Sequence, residues 1–324
     1  MAKVLITTVP FGEKNRLPLE LLEKAGIEYL INPYNKKLSE NQLSDLIEDF
    51  DVLIAGTEPI TDKVMERAPK LKHISRVGIG LDSLDLHAAR KRGIKISYTP
   101  DAPGPAVAEL ALNMILTLLR SVHISNQLMR KREWIRIFGR RLSTVTLGII
   151  GVGRIGAHLL RLMNGFGKIR TLVNDISPNT ELDKDFKLDW VSKEKIYREA
   201  DVISLHLPLT PLTQAMISRE HLLQMKPDAL IINTSRGGII NEKDLYEVME
   251  GGHLGGAAID VFEKEPYTGE LIEIDRCLLT AHMGSMSDDC RSQMEVEATE
   301  EVLRFLAGKH LQSEVPESEY DIQS

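Results

Sequence analysis

The sequence has few of the residues on which small secreted domains and metal centres depend. Cysteine occurs only twice in 324 residues, as Cys277 and Cys290. Two thiols cannot supply a disulfide framework or a site with several thiolate ligands. We therefore predict neither a disulfide-stapled secreted module nor a metal site.

Long apolar runs are missing as well. The longest candidate, residues 106–119, is interrupted by Glu109 and Asn113, which is typical of a buried helix and not of a membrane span. Residues 1–7 predict a short strand and not a signal peptide, because the apolar run is short and no small-residue cleavage site follows. We expect no membrane partner and a cytoplasmic location.

The sequence has fewer basic than acidic residues. The 40 Lys and Arg residues against 47 Asp and Glu residues give a formal net charge of −7, which disfavours nucleic acid as a partner. One basic segment, residues 120–141, contains the aromatic side chains Trp134 and Phe138, too few for a platform on which bases stack. This segment predicts a solvated helical arm.

The pattern that is present indicates an α/β protein of about two domains. The chain is 43% hydrophobic, and short apolar runs alternate with helical patterns over nearly its whole length. Thr61 is in position to cap one helix, and Gly93 follows the last turn of another. A break with three prolines and a glycine, residues 99–105, separates two series of strands and helices. A helical pattern returns at residues 287–307, and the polar tail, residues 312–324, is predicted to be loosely ordered.

Strands that alternate with helices predict parallel sheets covered by helices on both faces. The apolar runs of the first series are residues 4–6, 52–55, 73–77 and 94–97. Those of the second series are residues 146–150, 170–174, 202–205, 229–233, 257–260 and 277–280. We predict two doubly wound parallel-sheet domains.

A glycine motif lies at the first turn of the second series. Gly151, Gly153 and Gly156 follow a predicted strand and open a predicted helix, and Asp175 lies 19 residues beyond Gly156 at the end of the next strand. This is the context of a dinucleotide-binding fingerprint, in which backbone N–H groups near Arg154 and Ile155 would face a pyrophosphate. Asp175 would accept hydrogen bonds from the ribose hydroxyls and repel a 2′-phosphate, which predicts NAD in preference to NADP.

Three later segments each end a predicted strand with polar groups. They contain Arg236, Glu265 and His282. Because ligands bind at the carboxyl ends of parallel strands, we expect these three side chains to share one site. A guanidinium fork, an acid and an imidazole suit proton-coupled hydride transfer to a substrate that carries a carboxylate.

These segments, in this order, resemble the D-isomer-specific 2-hydroxyacid dehydrogenases over essentially the whole chain. The matching segments are residues 75–82, 100–110, 151–156, 206–210, 233–238, 260–266 and 281–285. The closest likeness is to the phosphoglycerate dehydrogenase-like branch, in a short form without a regulatory domain. The resemblance implies a Rossmann-type NAD domain, residues 101–287, inserted into a flavodoxin-like substrate domain of residues 1–100 and 288–324.

The resemblance also implies roles for individual residues. His282 would act as the acid or base on the substrate oxygen, Glu265 would orient it, and Arg236 would clamp the substrate. The backbone N–H groups of Val77 and Gly78 would hold the substrate carboxylate, with Arg76 nearby. The residues expected to line the cofactor site are Ile79, Val107, Gly151, Gly153, Arg154, Ile155, Gly156, Asp175, Leu207, Thr234, Ser235, Asp260, Gly284 and Ser285.

The expected activity is NAD-dependent interconversion of a D-2-hydroxyacid and its 2-oxoacid, with a small anionic substrate. The substrate pair is left open between 3-phosphoglycerate with phosphohydroxypyruvate and glyoxylate with hydroxypyruvate. Phosphoglycerate enzymes commonly carry an arginine where this chain has Ala55 and Gly56, which weakens the phosphorylated alternative. Two other functions stay open: an NAD(H)-sensing binding protein like the C-terminal-binding-protein corepressors, and a formate or phosphite dehydrogenase. The arm at residues 120–141 resembles one that family members exchange, which predicts a homodimer.

Overall fold

The computed structural model describes residues 2–323. The chain forms two compact units, each with its own parallel sheet. Unit 1 comprises Met1–Pro103 with Met286–Ser324, and unit 2 comprises Gly104–Ser285. The assignment of a substrate role to the first and a cofactor role to the second stays a prediction.

Unit 1 is built on five parallel strands in the order β2-β1-β3-β4-β5. The strands are β1 (Lys3–Ile6), β2 (Glu28–Ile31), β3 (Val52–Ala55), β4 (His73–Arg76) and β5 (Lys95–Tyr98). The helices that connect them are α1 (Leu17–Lys24), α2 (Glu40–Leu46), α3 (Asp62–Glu66) and α4 (Leu86–Lys91). This strand order is the flavodoxin-like one, so the predicted fold class is confirmed for this unit.

Local signals explain the helix ends in unit 1. The Thr61 hydroxyl accepts a hydrogen bond from the Val64 N–H, and Gly93 has a φ of +71° after α4, in agreement with the sequence. The sequence pattern did not reveal β2, because its Glu28 and Leu30 side chains are exposed and the strand lacks a continuous apolar run.

The last part of the chain belongs to unit 1. Helix α11 (Asp288–Leu306) is capped by Ser287 and packs against the sheet, where the Ser75 hydroxyl donates to the Ala298 carbonyl oxygen at 2.8 Å. The tail is more ordered than predicted and ends in helix α12 (Glu317–Gln323). Tyr320 is 9% exposed because its ring packs under the Arg90 guanidinium, 3.5 Å from the ring centroid.

Unit 2 is built on seven parallel strands in the order β12-β11-β10-β9-β6-β7-β8. The strands are β6 (Thr146–Ile150), β7 (Arg170–Asn174), β8 (Leu188–Trp190), β9 (Val202–Leu205), β10 (Leu230–Asn233), β11 (Gly256–Ile259) and β12 (Cys277–Leu279). The helices are α5 (Pro103–Leu119), α6 (Val122–Arg130), α7 (Arg154–Met163), α8 (Lys193–Glu199), α9 (Arg219–Gln224) and α10 (Glu242–Glu250). From β6 the chain adds β7 and β8 on one side of the sheet and then β9 to β12 on the other side. This is the Rossmann strand order with one additional strand, which confirms the predicted fold class.

The central strands of unit 2 are buried on both faces. β9, β10 and β11 are buried along their whole length, which explains their continuous apolar runs. The sequence pattern missed β8, a three-residue edge strand whose central Asp189 is exposed.

The basic arm is only partly helical. The helix ends at Arg130, and residues 133–140 have neither helix nor strand, so the helical arm predicted for residues 120–141 is helical only in its first half. Trp134 and Phe138 are 76% and 102% exposed. Among residues 2–323 no single helix is long and apolar enough to cross a membrane; α5 and α6 would pass that test only as a pair, and they meet at a 64° bend.

Candidate active site

The glycine loop of unit 2 follows β6 and opens α7. Gly151 has a φ of +92°, and a Cβ there would lie 2.2 Å from the His206 carbonyl oxygen. A Cβ on Gly156 would lie 2.3 Å from the Gly151 carbonyl oxygen, so the helix packs directly on the loop. Gly153 is different, because a Cβ there meets nothing within 4 Å. Two glycines therefore allow close packing, while the third leaves open space before the first turn of α7.

Asp175 lies just beyond β7, beside the glycine loop. Its Oδ2 accepts a hydrogen bond from the Val152 N–H at 2.7 Å, and its Oδ1 accepts one from the Ser177 N–H at 2.9 Å. Both bonds fix the carboxylate while leaving each oxygen a further lone pair. The carboxylate is therefore held at the edge of the loop with capacity to accept hydroxyl donors.

The loop after β10 is shaped by Asn233. Its Oδ1 accepts from the Ser235 N–H and hydroxyl at 3.1 and 2.7 Å, and its Nδ2 donates to the Arg236 carbonyl oxygen at 2.8 Å. The Arg236 guanidinium donates to the Ser235 carbonyl oxygen at 2.7 Å. A Cβ at Gly237 would lie 2.0 Å from the Phe262 carbonyl group, so this loop packs tightly on the one that follows β11.

His282 and Glu265 form a paired acid and base in unit 2. Nδ1 of His282 lies 3.0 Å from both Oε1 and Oε2 of Glu265. A carboxylate can only accept, so Nδ1 carries the hydrogen and Nε2 is the atom left for proton exchange. The imidazole is 39% exposed, and Glu265 Oε1 also accepts the Phe262 N–H at 3.2 Å.

Asp260 holds the backbone around His282. It is completely buried, and its carboxylate accepts from the Thr280 hydroxyl and from the N–H groups of Met283 at 2.7 Å and Gly284 at 2.9 Å. His282 has a φ of +52°, a left-handed conformation that is rare for residues other than glycine. The Asp260 carboxylate and carbonyl, which accepts the His282 N–H at 2.8 Å, clamp that conformation. Direct contact of Asp260 with a cofactor stays a prediction.

The remaining predicted cofactor residues of unit 2 surround these loops. Val107 and the Asp260 carboxylate lie close to Gly284: each would be 3.3 Å from a Cβ added to that glycine. Leu207 lies close to Gly151, at 3.0 Å from a Cβ added there. The hydroxyl of Thr234 is buried without a hydrogen-bond partner among residues 2–323. Arg154 is exposed, while Ile155 and Ser285 are half-buried. Ile79 lies in unit 1.

These features fit a dinucleotide. The open space at Gly153 adjoins the positive end of α7, where a pyrophosphate would bind, and Asp175 offers acceptors to a ribose. The orphaned Thr234 hydroxyl is a further polar atom that a ligand could satisfy.

His206 is a buried neutral histidine beside the glycine loop. Its Nε2 lies 2.9 Å from the Ser204 hydroxyl, and desolvation lowers its pKa to about 4. The side chain is therefore uncharged at neutral pH, which fits a structural role.

In unit 1, the two backbone N–H groups predicted to hold a substrate carboxylate already have hydrogen-bond partners. The Val77 N–H donates to the Ala55 carbonyl oxygen at 3.0 Å, and the Gly78 N–H donates to the Thr99 hydroxyl at 2.7 Å. Both groups are already used inside the unit. A substrate could reach these two N–H groups only beside or in place of the Ala55 and Thr99 partners, and the predicted contact of Val77 and Gly78 with a substrate carboxylate stays a prediction.

Arg76 braces this same loop. It is 6% exposed, its Nε donates to the Gly80 carbonyl oxygen at 3.1 Å, and its Nη1 donates to the Val77 carbonyl oxygen. The guanidinium therefore fixes the loop backbone, and its predicted contact with substrate stays a prediction.

Comparisons with known proteins agree with this arrangement. The family model of the D-isomer specific 2-hydroxyacid dehydrogenase NAD binding domain matches residues 112–284. The chain is similar to a hydroxypyruvate reductase of Thermotoga maritima, 33% identical over 88% of this chain and 96% of that protein. It is also similar to a D-3-phosphoglycerate dehydrogenase of Methanocaldococcus jannaschii, 34% identical over 95% of this chain and 58% of that protein.

Solved structures show the same likeness. A D-lactate dehydrogenase from Aquifex aeolicus, complexed with NAD and lactic acid, superimposes with a TM-score of 0.83 and 28% identity, covering 94% of this chain and 96% of that chain. The chain belongs to the D-isomer specific 2-hydroxyacid dehydrogenase family. The predicted family, NAD as cofactor and NAD-dependent 2-hydroxyacid dehydrogenase activity are thereby confirmed.

Proposed function

We propose that the protein transfers a hydride from NADH to C2 of a small 2-oxoacid while His282 donates a proton to the carbonyl oxygen, which gives NAD⁺ and the 2-hydroxyacid. The observation that carries this proposal is the His282–Glu265 pair, in which both carboxylate oxygens lie 3.0 Å from Nδ1. When bound, NAD supplies the hydride chemistry. The Glu265 carboxylate accepts the Nδ1 hydrogen and would thereby direct Nε2, the opposite edge of the ring, toward the substrate oxygen.

The other roles follow from charge and hydrogen-bonding capacity. In unit 2 the Arg236 fork would polarise the carbonyl group of the substrate, and the carboxylate contact at Val77 and Gly78 of unit 1 stays a separate prediction. Glycine at positions 151, 153 and 156 and the Asp175 carboxylate would hold the dinucleotide. The protein carries a net charge of −7, so attraction of an anionic substrate must come from these local groups.

The test is NADH oxidation by the purified protein with glyoxylate, hydroxypyruvate, phosphohydroxypyruvate and pyruvate. We expect turnover with at least one of them and a far slower rate with NADPH, because Asp175 repels a 2′-phosphate. A complete lack of turnover with all four, in a protein that binds NADH, would contradict the proposal.

A homodimer is proposed from the arm of unit 2. Val122, Met129, Trp134, Ile135 and Phe138 are all at least half exposed, which is an unusually apolar surface for one short segment. A second copy of the chain would cover it. Light scattering should give twice the 36.3 kDa chain mass, and Phe138→Ser should lower it toward one chain. A single-chain mass for the unaltered protein would refute the dimer.

A cytoplasmic location is proposed as well. Both cysteines are free and buried, and burial raises the pKa of Cys277 to about 12 and that of Cys290 to about 11. Unpaired thiols are typical of reducing compartments. Cell fractionation tests this, and recovery of the protein outside the cytoplasm would exclude it.

A further inference from the structure

An acid outside the loop that carries Glu265 holds the backbone of that loop. Glu242 is the first residue of α10 and is half-buried. Its Oε1 accepts a hydrogen bond from the Glu263 N–H at 2.6 Å. Because Glu263 lies two residues before Glu265, this bond fixes the backbone next to the acid that contacts His282. The mechanism proposed above gives Glu242 no role.

The start of α10 is brought to this loop by the two glycines that precede it. A Cβ on Gly237 would lie 2.0 Å from the Phe262 carbonyl oxygen and 2.5 Å from the Glu263 nitrogen. A Cβ on Gly238 would lie 3.8 Å from Cγ of Glu263. The chain between β10 and α10 therefore runs directly against the Glu265 loop. The Glu242 bond joins two segments that are already in contact, so it leaves the loop backbone little freedom to shift.

Three other contacts of the Glu265 loop lie within residues 262–271. The Phe262 N–H donates to Glu265 Oε1 at 3.2 Å, and the Phe262 ring stacks on the Tyr267 ring with the centroids 4.1 Å apart. The Tyr267 hydroxyl accepts the Leu271 N–H at 3.2 Å. These contacts shape the loop, whereas the Glu242 bond attaches it to a helix.

The Glu242 carboxylate is also close to Glu265 itself. Burial raises the pKa of Glu242 above its ordinary value, and the negative charges of Glu263 and Glu265 raise it as well, against the lowering effect of the Glu263 N–H. Acids placed together in this way are concentrated at functional sites. Glu242 therefore belongs to the charged surroundings of the His282–Glu265 pair.

We propose that Glu242 is a positioning residue for the proton step: it holds the Glu263 backbone, and through it the Glu265 carboxylate, against Nδ1 of His282. This inference rests on the proposed function and extends it by one residue. A positioning residue of this kind acts on kcat and leaves the affinity for NADH unchanged, because it touches neither the glycine loop nor Asp175.

The experiment compares kcat in Glu242→Ala, Glu242→Gln and Asp244→Ala, with the oxoacid that the unaltered protein reduces fastest. Asp244 is the matched control, because it lies in the same first turn of α10 and also accepts a backbone N–H. Its donor is Arg219 of α9, at 2.8 Å, and not the Glu265 loop. Both alanine variants therefore remove a carboxylate that binds a backbone N–H, and their melting temperatures should fall by similar amounts.

The three variants should differ in kcat. Glu242→Ala should lower it about 10-fold, because a small displacement of a catalytic group lowers the rate. In Glu242→Gln it should return to within about twofold of the unaltered protein, since the amide oxygen accepts the same N–H. Asp244→Ala should keep kcat, and all three variants should keep the dissociation constant of NADH within about twofold.

A double-variant cycle shows whether Glu242 acts through the pair. With His282→Asn already in place, Glu242→Ala should cause no further loss of kcat, because no proton donor remains to be positioned. Glu242→Asp draws the carboxylate back by one methylene and keeps the charge at the start of α10. It takes the place of Glu242→Ala if circular dichroism shows that the alanine variant does not fold.

Four results would overturn the inference while the proposed function stands. They are an unchanged kcat in Glu242→Ala or Glu242→Asp, an equal loss in Asp244→Ala, no recovery in Glu242→Gln, and the same loss of kcat in the His282→Asn background. Lack of turnover by the unaltered protein with every oxoacid would overturn the proposed function itself.

Discussion

The carboxyl edges of the two parallel sheets are built in different ways. In unit 2 the edge leaves room for a ligand: a Cβ on Gly153 meets nothing within 4 Å, and the Thr234 hydroxyl is buried without a partner in the described chain. In unit 1 the edge is closed by its own hydrogen bonds, because the N–H groups of Val77 and Gly78 donate to Ala55 and Thr99. The same sheet architecture therefore leaves open space and an unsatisfied polar atom at the strand ends of unit 2, whereas backbone N–H groups at the strand ends of unit 1 are already hydrogen-bonded within the unit.

The two units also differ in how firmly their strand-end residues are held. In unit 2, His282 is fixed on both sides, by Glu265 at its ring and by Asp260 at its backbone. In unit 1, the loop after β4 is braced mainly by Arg76. The more firmly held side chain is thus the one proposed to donate the proton, where small displacements would lower the rate.

The largest effect is expected from the proton donor. His282→Asn removes Nε2 as an acid, and kcat should fall by about 10²–10⁴, the usual contribution of general acid catalysis. Because the side chain is part of the proton step and not of the glycine loop, the dissociation constant of NADH, measured by fluorescence, should change little. Turnover equal to that of the unaltered protein would remove His282 from the mechanism.

The glycine loop should respond differently at two positions. Gly151→Ala places a methyl group 2.2 Å from the His206 carbonyl oxygen at a φ of +92°, so we expect a loss of stability of about 3 kcal/mol or more. Gly153→Ala meets no protein atom within 4 Å and should fold normally, yet bind NADH at least about 10-fold more weakly. Thermal unfolding and NADH titration distinguish the two. Normal NADH affinity in Gly153→Ala would show that the dinucleotide does not use this space.

Asp260→Asn tests the backbone clamp around His282. An amide keeps one acceptor but places an NH₂ group against the N–H of Met283 or Gly284, which costs about 1–3 kcal/mol of stability. Loss of the left-handed conformation at His282 should lower kcat by about 10-fold or more while the pH profile keeps its form. A stable variant with full kcat would contradict the clamp.

The smallest effect is a pH dependence that both units share. Burial lowers the pKa of His73 in unit 1 to about 3 and that of His206 in unit 2 to about 4, each from 6.5. As pH falls, the unfolded chain takes up protons on these histidines near pH 6.5, before the folded chain does. Their contribution to the free energy of unfolding is therefore complete above pH 6.5 and declines at lower pH. Each histidine contributes at most about 1.4 kcal/mol per pH unit.

Urea unfolding at pH 7 and at pH 5 measures this decline. His206→Asn and His73→Asn should each reduce the difference between the two pH values, and a difference that neither substitution changes would assign the acid sensitivity to other groups. Because the two histidines lie in different units, the pair also shows which unit unfolds first in acid.

Much of the fold was predictable because its signals are local. The apolar runs located ten of the strands, and the proline-rich break separated the two series. β2 and β8 were missed because each is short and partly exposed, so neither has a continuous apolar run. The tail was misjudged for a related reason: its polar residues order only because Tyr320 and Gln323 find partners distant in the chain.

The candidate site divides in the same way. Glycine spacing, Asp175 and the polar residues at strand ends could be identified from the sequence, since their chemistry depends on residue type and spacing. Nothing in the sequence around Val77 and Gly78 shows that their N–H groups have partners, and only the contacts of this loop with Ala55 at the end of β3 and with Thr99 after β5 reveal it. The same holds for Glu242, which precedes its partner Glu263 by 21 residues.

The sequence by itself therefore determined the class of fold, the dinucleotide cofactor and the family, because these depend on periodicity and on short motifs. Tertiary structure decided which backbone donors already have partners, how Asp260 holds His282, and that Glu242 is bonded to the Glu265 loop. These depend on hydrogen bonds between residues that are far apart in the chain, and no local pattern encodes such contacts.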